Sequence, residues 1–246
     1  MATTTHDGLV LTERILSSPF AESYRALRAN IGFSSIDRPV KNIVVTSAAP
    51  REGKTTTVIN LGIVMAQTGA RTIIVDADFR RSMLHRFIAD AQVRRKPFWS
   101  DENVAPPGLS SLVVGRTELT DVLVPTQFKD LAVLPAGMTP PNPSELLGSD
   151  RMRGILEQLS EQADYIVMDS PPCALYSDAV VLSRLADGVL YVLRSGSQDK
   201  IVQRRIQKQL EQAKARLLGV VFNGADIEDD VGSYAYYYPN GNKRGK

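Results

Sequence analysis

Six short runs of apolar, mostly β-branched residues recur along the 246-residue chain, and they restrict its fold more than any other feature. Each run is continuous rather than alternating, which is typical of strands buried on both faces of a parallel sheet. Stretches with helical spacing separate the runs, so the sequence predicts an α/β doubly wound fold with a mostly parallel sheet. Ligands in such folds bind beyond the carboxyl ends of the strands. The runs are NIVVTS (42–47), RTIIVDAD (71–78), LAVLPAG (131–137), YIVMDS (165–170), GVLYVLRSG (188–196) and LLGVVFNG (217–224).

The clearest helix is predicted over 198–217, QDKIVQRRIQKQLEQAKARL, where apolar residues form one stripe on a charged surface. In contrast, the segment 90–107 has no periodicity and is predicted to be a surface loop. The stripe of the helix consists of Val202, Ile206, Leu210, Ala213 and Leu217.

The charge balance excludes some classes of partner. The chain has 29 basic and 27 acidic residues, and a net charge of +2 gives no reason to expect binding to nucleic acid. Its one cysteine, Cys173, excludes an internal disulfide and suits a reducing compartment; we expect a small buried side chain there, not a nucleophile. No apolar run approaches the ~20 residues that span a bilayer. We therefore expect a cytoplasmic protein unless a partner holds it elsewhere.

The first apolar run leads into SAAPREGKTTT (47–57), and a helix is predicted to follow. This segment matches the phosphate-binding pattern G-x-x-x-x-G-K-[ST], except that Ala48 replaces the first glycine. In such a loop, backbone N–H groups point at phosphate oxygens, the lysine neutralises their charge and the hydroxyl binds Mg²⁺. The nucleotide-binding candidates are Ala49, Pro50, Arg51, Glu52, Gly53, Lys54, Thr55 and Thr56.

Three carboxylates follow strands at the same predicted edge of the sheet, namely Asp76, Asp78 and Asp169. An aspartate after a strand is commonly a turn or helix-cap residue, and that alternative applies to each one taken alone. Beside a phosphate-binding loop they also fit Mg²⁺, which takes few carboxylates together with waters and phosphate oxygens. A carboxylate there could also accept a proton from an attacking hydroxyl.

Together these segments resemble the bacterial tyrosine kinases (BY-kinases) of capsule and exopolysaccharide synthesis, within the larger P-loop class of the Min and Par ATPases. The resemblance covers nearly the whole chain. Its second Walker A-type motif is IIVDADFR (73–80), its Walker B motif is IVMDSPP (166–172), and PNPSELLGS (141–149) and LPAG (134–137) resemble its connecting segment. The eukaryotic-type kinase signatures G-x-G-x-x-G, HRD and DFG are absent.

The resemblance implies ATP and Mg²⁺ as ligands and gives roles to single residues. Lys54 would bind the transferred phosphate, and Thr55 would bind Mg²⁺. Asn223, in VVFNG after the last strand, resembles the adenine-contacting asparagine of the wider class.

The acidic residues take their roles from the second motif and from Walker B. Asp76 would be the base and a residue of the Mg²⁺ shell, and Asp78 and Asp169 would assist through metal-bound water. Arg80 would steady the second motif. Catalysis would thus depend on Lys54 with Asp76, Asp78 and Arg80, and the metal on Thr55, Asp76 and Asp169.

One departure separates the kinases from their relatives. Ala49 stands where the Min and Par ATPases have a signature lysine, which argues against the main alternative, a switch ATPase whose output is hydrolysis. A further alternative is a nucleotide-binding scaffold that assembles without turnover.

AESYRALRANI (21–31) resembles the E-x-x-R-x-x-R oligomerisation motif of the kinases in Glu22, Arg25 and Arg28, on a helix predicted over 19–35. By spacing alone, these residues share one helix face, and an exposed salt bridge is the simpler interpretation. The resemblance favours a contact between subunits in a homo-oligomeric ring.

Tyrosines crowd the end of the chain, GSYAYYYPNGNKRGK. Without the other motifs, an adhesive aromatic patch or a packed strand would be the better interpretation. The resemblance instead makes them phosphoacceptors that neighbouring subunits modify. The four are Tyr234, Tyr236, Tyr237 and Tyr238.

We expect one kinase domain over 1–231 and a flexible tail over 232–246. The resemblance implies a protein-tyrosine kinase that controls polysaccharide synthesis and export with a transmembrane activator. No spanning segment is seen, so the activator is expected on a separate chain, or as a fused segment that has been removed. Its cytoplasmic part would recruit the kinase to the inner face of the membrane.

Overall fold

The computed structural model describes residues 10–12, 16–84, 107–196 and 199–225. The tyrosine-rich tail and most of the loop predicted over 90–107 lie outside these residues. The strands are β1 (Asn42–Ser47), β2 (Thr72–Asp76), β3 (Val124–Pro125), β4 (Leu131–Leu134), β5 (Tyr165–Asp169), β6 (Gly188–Arg194) and β7 (Leu217–Asn223). The helices are α1 (Pro19–Ser34), α2 (Lys54–Ala66), α3 (Leu109–Val113), α4 (Leu119–Val122), α5 (Pro143–Leu147), α6 (Asp150–Gln162), α7 (Asp178–Ser183) and α8 (Lys200–Gln212).

All the described strands form one sheet in the order β3-β4-β2-β5-β1-β6-β7. Every neighbouring pair is parallel except β3 with β4, so the prediction of a mostly parallel, doubly wound sheet is confirmed. Because β5 inserts between β1 and β2, the strand order reverses beside β1. This topological switch point is where ligands bind in open α/β sheets.

Successive residues of the strands are buried in different layers. Ile43 and Val45 pack with α1 and α2 on one face of the sheet, whereas Val44 packs with α6 and α7 on the other. Since both faces of the central strands are covered, those strands have no polar side, which explains their continuous apolar runs; β7, at the edge of the sheet, has no fully buried residue. No helix of the described part of the chain is long and apolar enough to cross a membrane.

The prediction of a helix over 198–217 was wrong at its C-terminal end. The observed helix α8 ends at Gln212, and Lys214 has a left-handed backbone with φ 57°. Ile206 and Leu210 are buried as the stripe predicts, but Leu217 begins β7 and is 47% exposed. Helical spacing continued by chance through a turn that no Gly or Pro marks.

Candidate active site

The phosphate-binding loop joins the end of β1 to the first turn of α2. Gly53 caps α2 with φ 99°, and a Cβ atom there would lie 1.8 Å from the side-chain nitrogen of Asn223. A glycine is therefore needed at this position for both its backbone and its lack of a side chain. The N–H groups of Gly53, Lys54, Thr55 and Thr56 have no hydrogen-bond partner among the described residues. They form a set of donors suited to an anion.

Side chains on both sides brace this loop. The Glu52 carboxylate accepts a hydrogen bond from the N–H of Ala49 at 2.9 Å, and the Asn223 side chain donates to the Glu52 carbonyl at 2.9 Å. The Thr57 hydroxyl donates to the Gly53 carbonyl, also at 2.9 Å. The structure thus places Asn223 against the loop backbone; its predicted contact with adenine stays a prediction.

Lys54 lies inside this site rather than on its surface. Its side chain belongs to a residue only 7% exposed, and its charge lowers the pKa values of the carboxyl groups of Asp78 and Asp169 against the effect of their burial. Within the described residues, the ammonium has no ion-pair partner within 4 Å. The ammonium therefore interacts electrostatically with these carboxyl groups without forming a salt bridge to either one.

Thr55 and Asp169 meet at the Walker B position. The Thr55 hydroxyl donates to Oδ2 of Asp169 at 2.6 Å, whereas Oδ1 of Asp169 is buried without a hydrogen-bond partner among the described residues. A buried carboxylate oxygen without a partner is costly unless a ligand satisfies it. This pair therefore fits the predicted Mg²⁺.

Asp76 lies directly beside Asp169, because the two residues are register partners in β2 and β5. Asp76 is fully buried and accepts hydrogen bonds from the Ser82 hydroxyl at 2.7 Å and from the N–H groups of Leu84 and Asp78, both at 3.2 Å. Burial raises the pKa of both Asp76 and Asp169; the negative charge of Asp78 raises that of Asp76 further, and the charge of Asp76 raises that of Asp169 further. A bound cation would relieve the repulsion among these carboxylates.

The metal would need ligands from outside the protein. In the described part of the chain, no group of three or more His, Cys, Asp or Glu side chains could hold a metal ion. Mg²⁺ is usually bound by one or two carboxylates with waters and phosphate oxygens, so Asp169, Asp76 and Thr55 beside a phosphate loop suit it.

Arg80 of the second motif is held by Asp178, which Ser144 supports in turn, and neither of these two residues was singled out from the sequence. Asp78 accepts hydrogen bonds from the N–H groups of Arg80 at 3.2 Å and Arg81 at 2.9 Å, and burial raises its pKa. Arg80 is bidentate to Asp178, with Nε 2.6 Å from Oδ2 and Nη2 3.2 Å from Oδ1. The Asp178 carboxylate also accepts a hydrogen bond from the Ser144 hydroxyl.

Two of these side chains had no usable signal in the sequence. Asp178 reads as an acidic residue in the first turn of a helix, which is common for helix stability alone. Ser144 lies inside PNPSELLGS, the segment that resembles the kinases, but nothing in that segment indicates its partner.

The predicted interface residues make contacts within the chain. Arg25 pairs with Glu22 at 2.9 Å and also donates to the Leu16 carbonyl, and Arg28 donates to the Val64 carbonyl of α2 at 2.6 Å. The simpler interpretation, a helical salt bridge, is thus present in the structure. A contact between subunits stays a prediction, and the four tail tyrosines lie outside the described residues.

Known proteins are similar to this chain in both sequence and fold. Residues 40–197 match the family model described as an AAA domain. Tyrosine-protein kinase YwqD of Bacillus subtilis is 34% identical over 217 residues, 88% of this chain and 86% of the relative. The kinase domain of Escherichia coli tyrosine kinase ETK superposes with a TM-score of 0.75, with 30% identity over 91% of this chain and 82% of that domain.

The P-loop architecture itself is shared more widely. The cell division ATPase MinD of Pyrococcus furiosus superposes with a TM-score of 0.57 at 22% identity, covering 74% of this chain and 71% of MinD, which shows the common fold alone. The kinases are closer in both sequence and structure. The chain therefore belongs to the bacterial tyrosine-kinase family of the capsule type.

Proposed function

We propose that this chain transfers the γ-phosphate of ATP to tyrosines in the tail of a neighbouring subunit, with Mg²⁺ as the metal. The observation that carries the proposal is the group formed by Thr55, Asp169 and Asp76 beside Lys54. Within the described residues, it combines a carboxylate oxygen without a hydrogen-bond partner, a buried second carboxylate, and an ammonium without an ion pair next to loop N–H groups without acceptors.

Each residue of the site would have a separate role in phosphoryl transfer. The loop N–H groups and Lys54 would hold the phosphates, and Asp169 and Thr55, with Asp76, would hold Mg²⁺, which neutralises phosphate charge when bound. Asp76 would accept the phenol proton as the phenol oxygen forms its bond to the γ-phosphorus. The bond from that phosphorus to ADP breaks in the same step.

Charge placement and positioning would supply most of the rate. Phosphoryl transfer needs little covalent chemistry from the protein, so fixed donors and cations around the phosphates carry the catalysis. The braces of Glu52 and Asn223 support this role, because they hold the loop in place before any ligand binds.

The decisive experiment mixes two variants that cannot each complete the reaction alone. The first lacks residues 226–246 but keeps the site; the second carries Asp76→Asn and keeps the tail. After incubation with Mg-ATP, mass spectrometry should find phosphate on Tyr234 to Tyr238 of the Asp76→Asn chain. Each variant incubated alone should remain unmodified.

Other results would point to other functions. An unmodified tail with steady ATP hydrolysis by the parent would favour a switch ATPase. Modification of the parent but not of the mixture would mean transfer within one chain. If neither modification nor hydrolysis occurs, the addition of an activator's cytoplasmic segment tests whether a partner is required.

The cellular role follows by family resemblance. We propose that the kinase regulates capsular or exopolysaccharide synthesis and export, held at the inner face of the membrane by the cytoplasmic segment of a transmembrane activator. Co-sedimentation with membranes that contain the activator, but not with membranes that lack it, would support this arrangement.

A further inference from the structure

A basic groove of about 870 Å³ lies between α7, α8 and the start of β7; its lining includes Tyr176, which stacks on Arg80, but none of the residues predicted to bind nucleotide or metal. Four cationic residues line it, and no Asp or Glu of the described chain does so. The four are Arg38, Arg184, Lys214 and Arg216.

The charge of this groove is not neutralised from within. Arg38, Arg184 and Lys214 are exposed, and their side chains have no ion pair in the part of the chain that the structure describes. Of the acidic residues on the flanking elements, Asp187 accepts hydrogen bonds from the N–H groups of Lys41 and Asn42, Glu211 accepts one from Gln207, and Asp178 pairs with Arg80. None of the three forms an ion pair with a cation of the groove. The groove is thus a concave cationic surface that suits a multivalent anion.

We propose that this groove binds the chain's own tail, residues 232–246, once its tyrosines carry phosphate. This inference rests on the proposed function for the origin of the phosphates. The unmodified segment has three basic residues and no acidic ones, so the groove repels it. Four phosphates add a charge of roughly −6 to −8 and reverse its sign. Binding would therefore be specific for the modified tail.

The length of the chain permits this contact within one molecule. The cations lie near the amino end of β7, because Arg216 directly precedes that strand, and the tail leaves from its carboxyl end. A strand of this length spans roughly 20 Å at about 3.3 Å per residue. The ten residues from Ala225 to Tyr234 can extend over roughly 30 Å, so the first phosphate reaches the groove.

A membrane surface is the competing source of negative charge. Its flat array of headgroups fits a convex or planar basic patch, whereas these cations line a concavity. The observations therefore favour an extended phosphorylated segment, and the membrane becomes an outcome of the test.

The test measures binding of a synthetic, fluorescently labelled peptide of residues 232–246 to the full chain without ATP. The peptide carries phosphate on Tyr234, Tyr236, Tyr237 and Tyr238, so the result does not depend on whether the chain is a kinase. By fluorescence anisotropy, the phosphopeptide should bind at least about tenfold more tightly than the unmodified peptide, because charge-assisted pairs form only with phosphate.

Two double variants separate the groove from general attraction. Arg184→Gln with Lys214→Gln should weaken binding of the phosphopeptide by about tenfold or more. Lys129→Gln with Arg153→Gln removes the same charge from exposed sites outside the groove and should change it by less than about twofold. Melting temperatures confirm that both variants fold.

Three results would overturn the proposal. Equal weakening in both double variants would mean nonspecific attraction, and loss of binding under saturating Mg-ADP would place the peptide in the nucleotide site. If the groove variant instead loses binding to phosphatidylserine vesicles while peptide binding is unchanged, the groove is a membrane contact.

Discussion

Arg80 shows how a residue of the second motif depends on a partner far away in the sequence. Its guanidinium holds both oxygens of Asp178, whose side chain is only 1% exposed, and stacks 4.0 Å from the ring centroid of Tyr176. A planar guanidinium paired with a carboxylate in this way is fixed in orientation as well as position. Since the Arg80 N–H also bonds to Asp78, Asp178 positions the acidic turn of the proposed site.

Asp178→Asn should therefore reduce transfer more than nucleotide binding. Asparagine keeps the shape but removes the charge that pairs with Arg80, so the turn with Asp76 and Asp78 shifts. A misplacement of about 1 Å can cost on the order of 100-fold in rate, and we expect kcat for tail phosphorylation to fall by about 10- to 100-fold. The affinity for a fluorescent ADP should change by less than about threefold, because the loop 48–55 is untouched.

A double-mutant cycle identifies the pair as the cause. Combining Asp178→Asn with Arg80→Lys should cost less than the sum of the single changes. The matched control is the Arg71–Asp164 pair, joined at 2.9 Å but more than 40% exposed and at the opposite edge of the sheet. Changing Asp164→Asn should leave kcat unaltered; an equal loss there would mean that Asp178 acts only through general stability.

Cys173 should be chemically silent in the folded protein. It is 4% exposed, and burial raises the pKa of its thiol to about 11. At pH 8 only roughly one molecule in a thousand then carries the reactive thiolate. Reaction with a thiol reagent such as DTNB should be far slower than in denaturant. Rapid labelling of the native protein would show that the loop after Walker B opens to solvent.

At the scale of elements, the sequence predicted the strands better than the contacts between them. All six apolar runs contain strands: burial on both faces leaves a clear pattern in the central ones, and the edge strand β7 has the same apolar composition. The pairing of Asp76 with Asp169 could not be predicted, since nothing local shows that β5 lies beside β2. The same is true of Asp178 with Arg80, 98 residues apart in the chain. Long-range pairs depend on strand order, which residue spacing does not contain.

Helix α1 provides a prediction at this scale, because Arg28 fastens it to the end of α2. Arg28→Ala removes the bond to the Val64 carbonyl and should lower the free energy of unfolding by about 1.5–3 kcal/mol, the range for hydrogen bonds that involve a charged group. Chemical denaturation measures the change. If stability is unaltered, Arg28 does not stabilise the isolated subunit and is available for a contact between subunits.

The prediction of a contact between subunits is tested with variants that keep the hydrogen bond from Arg28 to the Val64 carbonyl. Glu22→Gln with Arg25→Gln removes an exposed pair that contributes only about 0.5 kcal/mol and the Arg25 bond to the Leu16 carbonyl, and it leaves the Arg28 bond to Val64 intact. If the pair contacts a neighbouring subunit, the mass from light scattering should fall towards that of a monomer. An unchanged mass would restrict the motif to the contacts within the chain.

At the scale of the whole molecule, the site and the carboxyl end of β7 lie at the same edge of the sheet. Asn223 bonds to the phosphate-binding loop and is the last residue of β7, so the chain leaves the described structure near its own site. The length of the tail alone therefore does not decide between transfer within a chain and transfer between chains.

Dilution distinguishes these two routes. Transfer between subunits requires assembly, so the initial rate of tail phosphorylation per chain should fall nearly tenfold for each tenfold dilution below the dissociation constant of the assembly. Transfer within a chain is unimolecular and gives a constant rate per chain. Quantitative mass spectrometry of the tail peptide over a concentration series at saturating Mg-ATP measures the dependence. An inert carrier protein in every sample prevents loss of the kinase by adsorption. The Glu22→Gln, Arg25→Gln variant should move the fall to higher concentration if its residues join the subunits, whereas a constant rate in both proteins would contradict the proposed transfer between subunits.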